Sequence, residues 1–452
     1  MSNDISHVVT QIHIRATHPF FATCADLTHQ AKLLYNAANY LIRQTFFAVH
    51  AWRDRQDLDQ FADHWEFLGQ WGLTPENTPV YLDFYWMTRH LKSHPVYQNL
   101  PAKTAQAILR ESVDHDWQAF FRSIKEYAKH PETFLGKPGL PKYKEVRSTV
   151  FFTNQQCQIK NGWLRFPKSL GVPSVKLPDT IPGSLMQVRM VPHHATYTIE
   201  IVWKVTEAYP ILTTPTRIAG IDMGVDNLIT LTTTTGEPPI VVNGRGIKAY
   251  NQGYNRQKEH CQKALPKTQN WSKRLGILED QRHRKFHEWF HQISRFIVDW
   301  CVQHAIDTLV IGHNDGWKQQ IRMRRQTKQH FAAIPFNSLI TKIQYKAKVA
   351  GIRVILTEES YTSKASFLDL DMLPVWGKND SDAKFSGKRI HRGLYRSGTG
   401  RLINADVNGS YNIIRKVFPN AFANGVEGVT LHPVRLNPHK GKPLQMRSIL
   451  FD

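Results

Sequence analysis

The order of apolar runs after Arg217 narrows the fold more than any other feature of the chain. RIAGIDM (217–223), NLITLTTT (227–234) and PIVVNG (239–244) are short, rich in β-branched residues and bounded by Gly, Asn or Pro, so each reads as a strand, with Thr235-Gly236 as the turn between the second and third. A long basic stretch follows to about His304. Its Phe286, Trp289, Phe290, Ile293, Phe296, Ile297 and Trp300 recur at three-four spacing, one face of a helix. DTLVIG (307–312), a helical stretch from about Asn337 to Ala350, and RVILTEES (353–360) complete the order β-β-β-α-β-α-β.

A three-strand meander followed by βαβ units is the order of an RNase H-like sheet. The first half of the chain reads differently. HVVTQIHIRA (7–16) alternates as a strand does, and from about Asp26 to His130 the pattern is helical, its aromatics reading as bundle core. A Pro/Gly/Lys loop, KPGLPKYKE (137–145), opens a strand-rich stretch to about Val205 that includes the hairpin turn Asn161-Gly162. The first strand and this later group are expected to form one β-barrel interrupted by the helical insert, with a linker from Tyr209-Pro210 through Pro215. The expected architecture is therefore α/β plus α+β and multidomain. It comprises a first barrel strand (1–17), a helical insert (18–136), the rest of the barrel (137–210) and an RNase H-like domain (211–452) with a basic insert at about 366–400.

Charge limits the partners. Lys and Arg number 58 against 37 Asp and Glu, a formal net charge of +21. Such an excess repels itself in a compact fold unless a polyanion offsets it, and nucleic acid is the usual one. No lipidation motif or amphipathic basic N-terminus favours a membrane surface. Met1 to Thr17 lacks an apolar signal core, and no run of about eighteen apolar residues occurs, so a soluble, cytoplasmic protein is expected. Cys24, Cys157, Cys261 and Cys301 are scattered without a CxxC, so neither a disulfide framework nor a cysteine zinc site is expected. No Gly-rich phosphate loop points to a nucleotide-driven motor.

Hydrolysis of a phosphodiester by two divalent ions needs carboxylates that converge from several elements. Magnesium, with manganese as its substitute, prefers such oxygen donors. Asp222 stands inside an apolar strand, where an unpaired carboxylate is expensive unless it holds a cation; Gly220 and Gly224 beside it are read as room for a phosphate. Asp406 in INADVNGSYNIIRKV falls in the first turn of an expected helix, where an Asp is also common as a capping charge; Asn408 and Asn412 after it strengthen the reading as a site. The third acid is harder to place. The fourth strand ends in Gly312-His313, whereas the fifth ends in Glu358-Glu359. Alternation sends these two to opposite faces, with Glu359 favoured as the ligand and Glu358 as the alternative. Basic and aromatic residues surround these acids in NDGWKQQIRMRRQTKQH (314–330) and KFSGKRIHRGLYR (384–396). Among them Lys318, Arg322, Arg324, Arg325, Lys388, Arg389 and Arg392 would neutralise phosphate, and Trp317 and Tyr395 would stack on bases.

GIDMGVDNLITL, VIGHNDGWKQ, GIRVILTEESYTSKASF, KFSGKRIHRGLYR and NADVNGSYNIIRK, in that order, closely resemble the TnpB proteins encoded by transposons; YNAANYLIRQ and GLPKYK extend the resemblance toward the N-terminus. The resemblance implies an RNA-guided DNA endonuclease, ancestral to type V CRISPR effectors, with a wedge barrel, a helical recognition insert and a RuvC nuclease domain. It assigns the first catalytic Asp to Asp222 and the last to Asp406. Two departures stand out. Many members close the fourth strand with the catalytic Glu, and here that position is Gly312. A subgroup, and the related Fanzor proteins, place the Glu just before a TSK motif, as Glu359 precedes Thr362-Ser363-Lys364. The zinc ribbon usual before the last Asp is also missing its cysteines, since residues 366–400 contain none, and a basic loop is expected in its place.

The resemblance implies as partners a guide RNA from the transposon end and double-stranded target DNA bearing a short flanking motif, with two Mg2+ ions as cofactor. Two other classes stay open: an RNA-guided DNA-binding repressor that does not cut, and a transposase that joins DNA.

Overall fold

The computed structural model describes residues 6–53, 62–178, 181–205, 215–313, 334–375, 377, 383–423, 425 and 431–438. The chain divides into two compact units, His7–Thr206 and a second formed by Met1–Ser6 with Glu207–Asp452.

In the first unit, β1 (Ser6–Ile14) leads into the 33-residue helix α1 (Phe21–Arg53), the short helices α2 (Ala62–Gly69), α3 (Phe84–Leu91) and α4 (Pro95–Gln98), then α5 (Ala102–Ile108) and α6 (His115–Lys129). Asp83 caps α3 by accepting a hydrogen bond from the Trp86 amide. Strands β2 (Val150–Thr153), β3 (Gln158–Lys160), β4 (Trp163–Arg165), β5 (Val175–Lys176), β6 (Ser184–Pro192) and β7 (Tyr197–Val205) follow. The first strand does rejoin the later group, in a four-stranded sheet of order β1-β7-β6-β2. The other three strands make a separate sheet, β3-β4-β5, so among the described residues the ladders form two sheets rather than one continuous barrel. Asn161 and Gly162 both take positive φ, 51° and 72°, the two-residue turn that hairpin twist favours. Part of the aromatic content of the helical stretch is core: Trp117 and Tyr35 are fully buried, and the Trp117 indole donates to Asn39 Oδ1 at 2.9 Å, whereas Tyr40, Phe47, Trp52 and Tyr85 are exposed.

The second unit is mixed α/β. It contains β8 (Ile218–Asp222), β9 (Asn227–Thr233), β10 (Ile240–Asn243), α7 (Arg245–Lys263), α8 (Lys273–Gln303), β11 (Thr308–Gly312), α9 (Phe336–Val349) and β12 (Arg353–Thr357). A second, small sheet is made by β13 (Lys388–His391), β14 (Leu394–Arg396) and β15 (Leu402–Asn404), and α10 (Ala405–Val417) and β16 (Val434–Leu436) close the unit. The main sheet has the order β12-β11-β8-β9-β10-β16. Antiparallel pairing joins β8 to β9 and β9 to β10, and parallel pairing joins β8 to β11 and β11 to β12. That is a meander followed by crossovers.

Alternation along the strands sorts the two faces. Ala219 and Ile221 of β8, with Leu309 and Ile311 of β11, pack with α8 and α9; Ile218 and Val310 pack with α10. The residues two and four places on from Ile218, Gly220 and Asp222, share its face, as Gly312 shares that of Val310. Gly220 is where α10 comes closest: a Cβ there would lie 2.6 Å from Ser410 O and from Ile414 Cγ1. Ser410 Oγ donates to Gly220 O at 2.9 Å, which pins the helix to the strand. Gly220 thus serves helix packing, and the room for phosphate expected beside it is filled. No helix among the described residues is long and apolar enough to cross a membrane.

Candidate active site

Asp222 is the last residue of β8, one place past the Ile221–Ile311 pair with the neighbouring β11. Facing it is the first turn of α10. Asn404 caps that helix, its side chain accepting from the amides of Asp406 and Val407 at 3.0 and 3.2 Å. The capping duty therefore falls to Asn404, and the Asp406 carboxylate is left to face the sheet edge. Gly409, one turn on, lets the helix lie against the strand end: a Cβ there would come within 3.0 Å of Asp222 Oδ2.

Strand β12 stops at Thr357, opposite Gly312, so Glu358 and Glu359 lie beyond its last pair rather than inside it. They still diverge. Glu358 pairs with Lys416 of α10, whose side chain is 4% exposed, and accepts from the Ser360 amide at 2.8 Å. Burial opposes its ionisation, but Lys416 and Ser360 together hold its carboxyl below the usual range. Glu359 goes the other way, into a pocket it shares with Asp222 and Asp406. Gly312 makes this possible: a Cβ on that glycine would sit 2.8 Å from Glu359 Oε2 and 2.6 Å from Ile413 Cδ1. The carboxyl expected at the end of the fourth strand is thus supplied from the neighbouring strand, across a position where no side chain fits.

The turn behind Glu359 is tightly held. Tyr361 takes φ 64°, unusual for a residue with a side chain. The Thr362 hydroxyl donates to Glu359 O at 2.9 Å. Asn408 and Asn412, which strengthened the reading of Asp406 as part of a site, are fully buried and bind mainly backbone. Asn408 Nδ2 donates to Ala365 O at 2.8 Å while its Oδ1 accepts from the Phe367 amide, and Asn412 Nδ2 donates to Thr362 O and Ala365 O. They fasten the loop that carries Glu359 to the helix that carries Asp406.

The pocket has a volume of about 600 Å3 and is lined by these three acids together with a fourth, Asp226, and by Asn227, Ser363 and four arginines, Arg245, Arg389, Arg392 and Arg435. Burial, then repulsion from Asp406, pushes Asp222 above the ordinary carboxylate range, against the pull of the Met223 amide and Arg389. Glu359 is pushed up by burial first, and next by the charges of Asp222 and Glu358. Converging carboxylates that resist ionisation in each other's company are stabilised by a cation, and an all-oxygen donor set suits a hard one. The arrangement as it stands is not closed around an ion, and no group of three or more His, Cys, Asp or Glu among the described residues is drawn together tightly enough to hold one. Asp406 is turned to protein partners: Asn227 Nδ2 donates to its Oδ2 at 2.5 Å, and Arg389 lies 3.8 Å from its Oδ1.

Of the expected nucleic-acid contacts, Lys388, Arg389 and Arg392 are exposed on the β13–β15 sheet, and Arg389 and Arg392 reach the pocket. Arg392 also pairs with Asp226, which accepts from Lys248 at 2.9 Å. Tyr395 corrects its expectation: it is 1% exposed, and its hydroxyl donates to Lys364 O at 2.7 Å, so its ring is core and offers no stacking face. The basic segment is a three-stranded antiparallel sheet rather than a loop. Trp317, Lys318, Arg322, Arg324 and Arg325 lie outside the described residues. Arg245, Arg435 and Asn227 escaped the sequence reading. Arg435 sits on β16, a three-residue strand between prolines whose only signal was the apolar pair Val434 and Leu436.

Two family models match the sequence. The OrfB_IS605 model, described as a probable transposase, matches residues 200–318, which include Asp222; the model of the Cas12f1-like TNB domain matches residues 336–413, which include Glu359, Arg389 and Asp406. No curated protein matches. Similar solved structures include a Cas12f1–sgRNA–target DNA complex (12% identity, TM-score 0.33, over 90% of this chain and 98% of that one). The mini-RNA-guided endonuclease CRISPR-Cas_phi3 is similar at 10% identity and TM-score 0.37, over 96% of this chain and 94% of that one. CasPhi-2 (Cas12j) bound to crRNA is similar at 8% identity and TM-score 0.34, over 95% and 99%.

Proposed function

We propose that this TnpB-like chain is an RNA-guided DNA endonuclease of a transposon, cutting target DNA in a RuvC-type, RNase H-like site built from Asp222, Glu359 and Asp406. One observation carries the reading: three carboxylates from separate elements line one pocket, and the strand position that lacks an acid is a glycine whose empty side is filled by Glu359. The two family models, each covering part of this unit, support it.

Asp222, Glu359 and Asp406 would hold magnesium. When bound, magnesium supplies the charge that lowers the pKa of an attacking water and offsets the charge on the leaving oxygen. Everything else is done by the chain. Arg245, Arg389, Arg392 and Arg435 ring the acids and attract the phosphates on either side of the bond to be cut, a positioning role that carries no base preference. Arg389 and Arg392 now lean on Asp406 and Asp226, so an arriving phosphate competes for them and releases Asp406 toward the cation site. Asn227 keeps that carboxylate aimed at the sheet edge.

The guide RNA would supply sequence recognition by base pairing, and the protein would read backbone shape and a short flanking motif. The first unit, with its β1-β7-β6-β2 sheet and inserted helices, takes the part of wedge and recognition domain. The test is to sequence the RNA that copurifies with the protein and to assay plasmid cleavage before and after RNase treatment. A single RNA species encoded beside the gene, and cutting that RNase abolishes, are expected. Cutting that survives RNase would contradict guidance and favour a DNA-joining transposase.

A further inference from the structure

Helix α8 carries a second constellation on residues the pocket does not use. His287-Glu288-Trp289-Phe290-His291 places two imidazoles four residues apart, on one face of the helix. The rings lie 4.3 Å apart between centroids, and their Nε2 atoms share a hydrogen bond at 3.2 Å that an incoming metal ion would replace. Both rings keep partial exposure, while Trp289 and Phe290 between them are buried and fix the helix rotation.

The separation is informative. A transition-metal ion binds imidazole nitrogen at about 2.0–2.1 Å, so two such ligands stand about 2.9 Å apart at a right angle and about 3.3 Å apart at the tetrahedral angle. The observed 3.2 Å falls between them. The H-E-x-x-H spacing on a helix holds zinc through its two histidines for this reason. Glu288 is turned away, paired with Lys285 at 2.8 Å, so the geometry supports metal holding and gives no support to peptidase chemistry.

We propose that His287 and His291 form a two-imidazole clamp for a borderline divalent cation such as zinc or copper, separate from the all-carboxylate pocket. Water completes the coordination, because no third His, Cys, Asp or Glu among the described residues is near enough to join. Lys342 and Lys346 of the neighbouring α9 oppose an incoming positive charge, which sets a modest affinity. Lys346 is partly spent: its ammonium donates to His291 O at 2.8 Å and to Ser294 Oγ at 2.7 Å. Nitrogen donors here and oxygen donors at the acids give the two sites different metal preferences. With both ligands on α8, the clamp would stiffen one turn of that helix.

The test uses the full-length, metal-stripped protein in excess Mg2+, titrated with Cu2+ and followed by electron paramagnetic resonance, with Zn2+ calorimetry in parallel. The chain holds 22 histidines, so the comparison is between variants. Wild type and His283→Ala are expected to bind one equivalent with a two-nitrogen signature, and His287→Ala and His291→Ala to lose it. His287 is partly exposed, so its variant decides the matter should His291→Ala fail to fold. Binding by His287→Ala that equals wild type overturns the clamp. The result is independent of whether the protein cuts DNA.

Discussion

At the level of single residues, two adjacent glutamates have opposite fates, and the difference is testable without any nucleic acid. Glu358 neutralises an ammonium that is almost fully enclosed. Glu358→Gln leaves Lys416 buried without a counter-charge, a loss of about 1–3 kcal/mol readable in urea denaturation, the lower end reflecting the partial exposure of the pair. Glu359→Gln should do the reverse and stabilise the metal-free protein, because it removes one of the repelling carboxylates. The pH dependence has a definite sign. Asp222 and Glu359 have folded-state pKa values above those of the unfolded chain, so the folded state binds more protons than the unfolded one between the two values. Their contribution is full at acid pH and is lost as pH rises through the folded values, so stability without divalent ions should fall between about pH 5 and pH 8. Thermal melts across that range should show the slope in wild type and a shallower one in Glu359→Gln; added Mg2+ should flatten it. An unchanged slope in the variant would mean that the Glu359 carboxyl is not held above its unfolded value.

At the level of elements, the site depends on how closely α10 and the Glu359 turn can approach the ends of β8 and β11. Gly312→Ala puts a methyl group against Ile413 and the Glu359 carboxyl, so it should cost about 1–3 kcal/mol and reduce cleavage well beyond what the stability loss explains. Asn412→Ala removes one of the two amides that tie the turn to α10, leaving Thr362 O short of its donor while Ala365 O keeps Asn408, and should lower both the melting temperature and the cleavage rate. Much of this was legible in the sequence, because short apolar, β-branched runs bounded by Gly, Asn or Pro and an amphipathic α8 leave strong patterns. The element order of the second unit and the place of Asp406 in the first turn of α10 followed from those patterns alone, whereas Asp222, read as standing inside its strand, is the last residue of β8. What was not legible depends on contacts between distant segments. Alternation suggested that Glu358 and Glu359 part because they sit on a strand, whereas the strand ends first and Lys416, fifty-eight residues on, draws one of them away. Asn408 and Asn412 strengthened the reading of Asp406 as a site, yet their side-chain amides donate to backbone carbonyls of the Glu359 turn. Tyr395 lay in a basic run, and nothing local showed that Phe367 and Tyr411 would enclose it. The basic segment folds as a sheet partly because Asp369 and Asp371 accept hydrogen bonds from Ser386, Gly398 and Thr399, holding its base without cysteines.

At the level of the whole molecule, a charge of +21 predicts binding governed by phosphate. Affinity for RNA should fall by about a thousandfold or more between about 50 and 200 mM salt, and Arg389→Ala with Arg392→Ala should make that dependence shallower. A salt-insensitive complex would deny the electrostatic account. The central claim is that Asp222, Asp406 and Glu359, with Glu359 standing in across Gly312, form a metal-dependent cutting centre. It is tested most directly by plasmid cleavage in Mg2+ with the copurified RNA, comparing wild type, Glu359→Gln and Glu358→Gln. Wild type and Glu358→Gln should cut, and Glu359→Gln should not. Equal cutting by wild type and Glu359→Gln would contradict the assignment, and no cutting by any of the three would leave a nucleic-acid-binding protein without a blade.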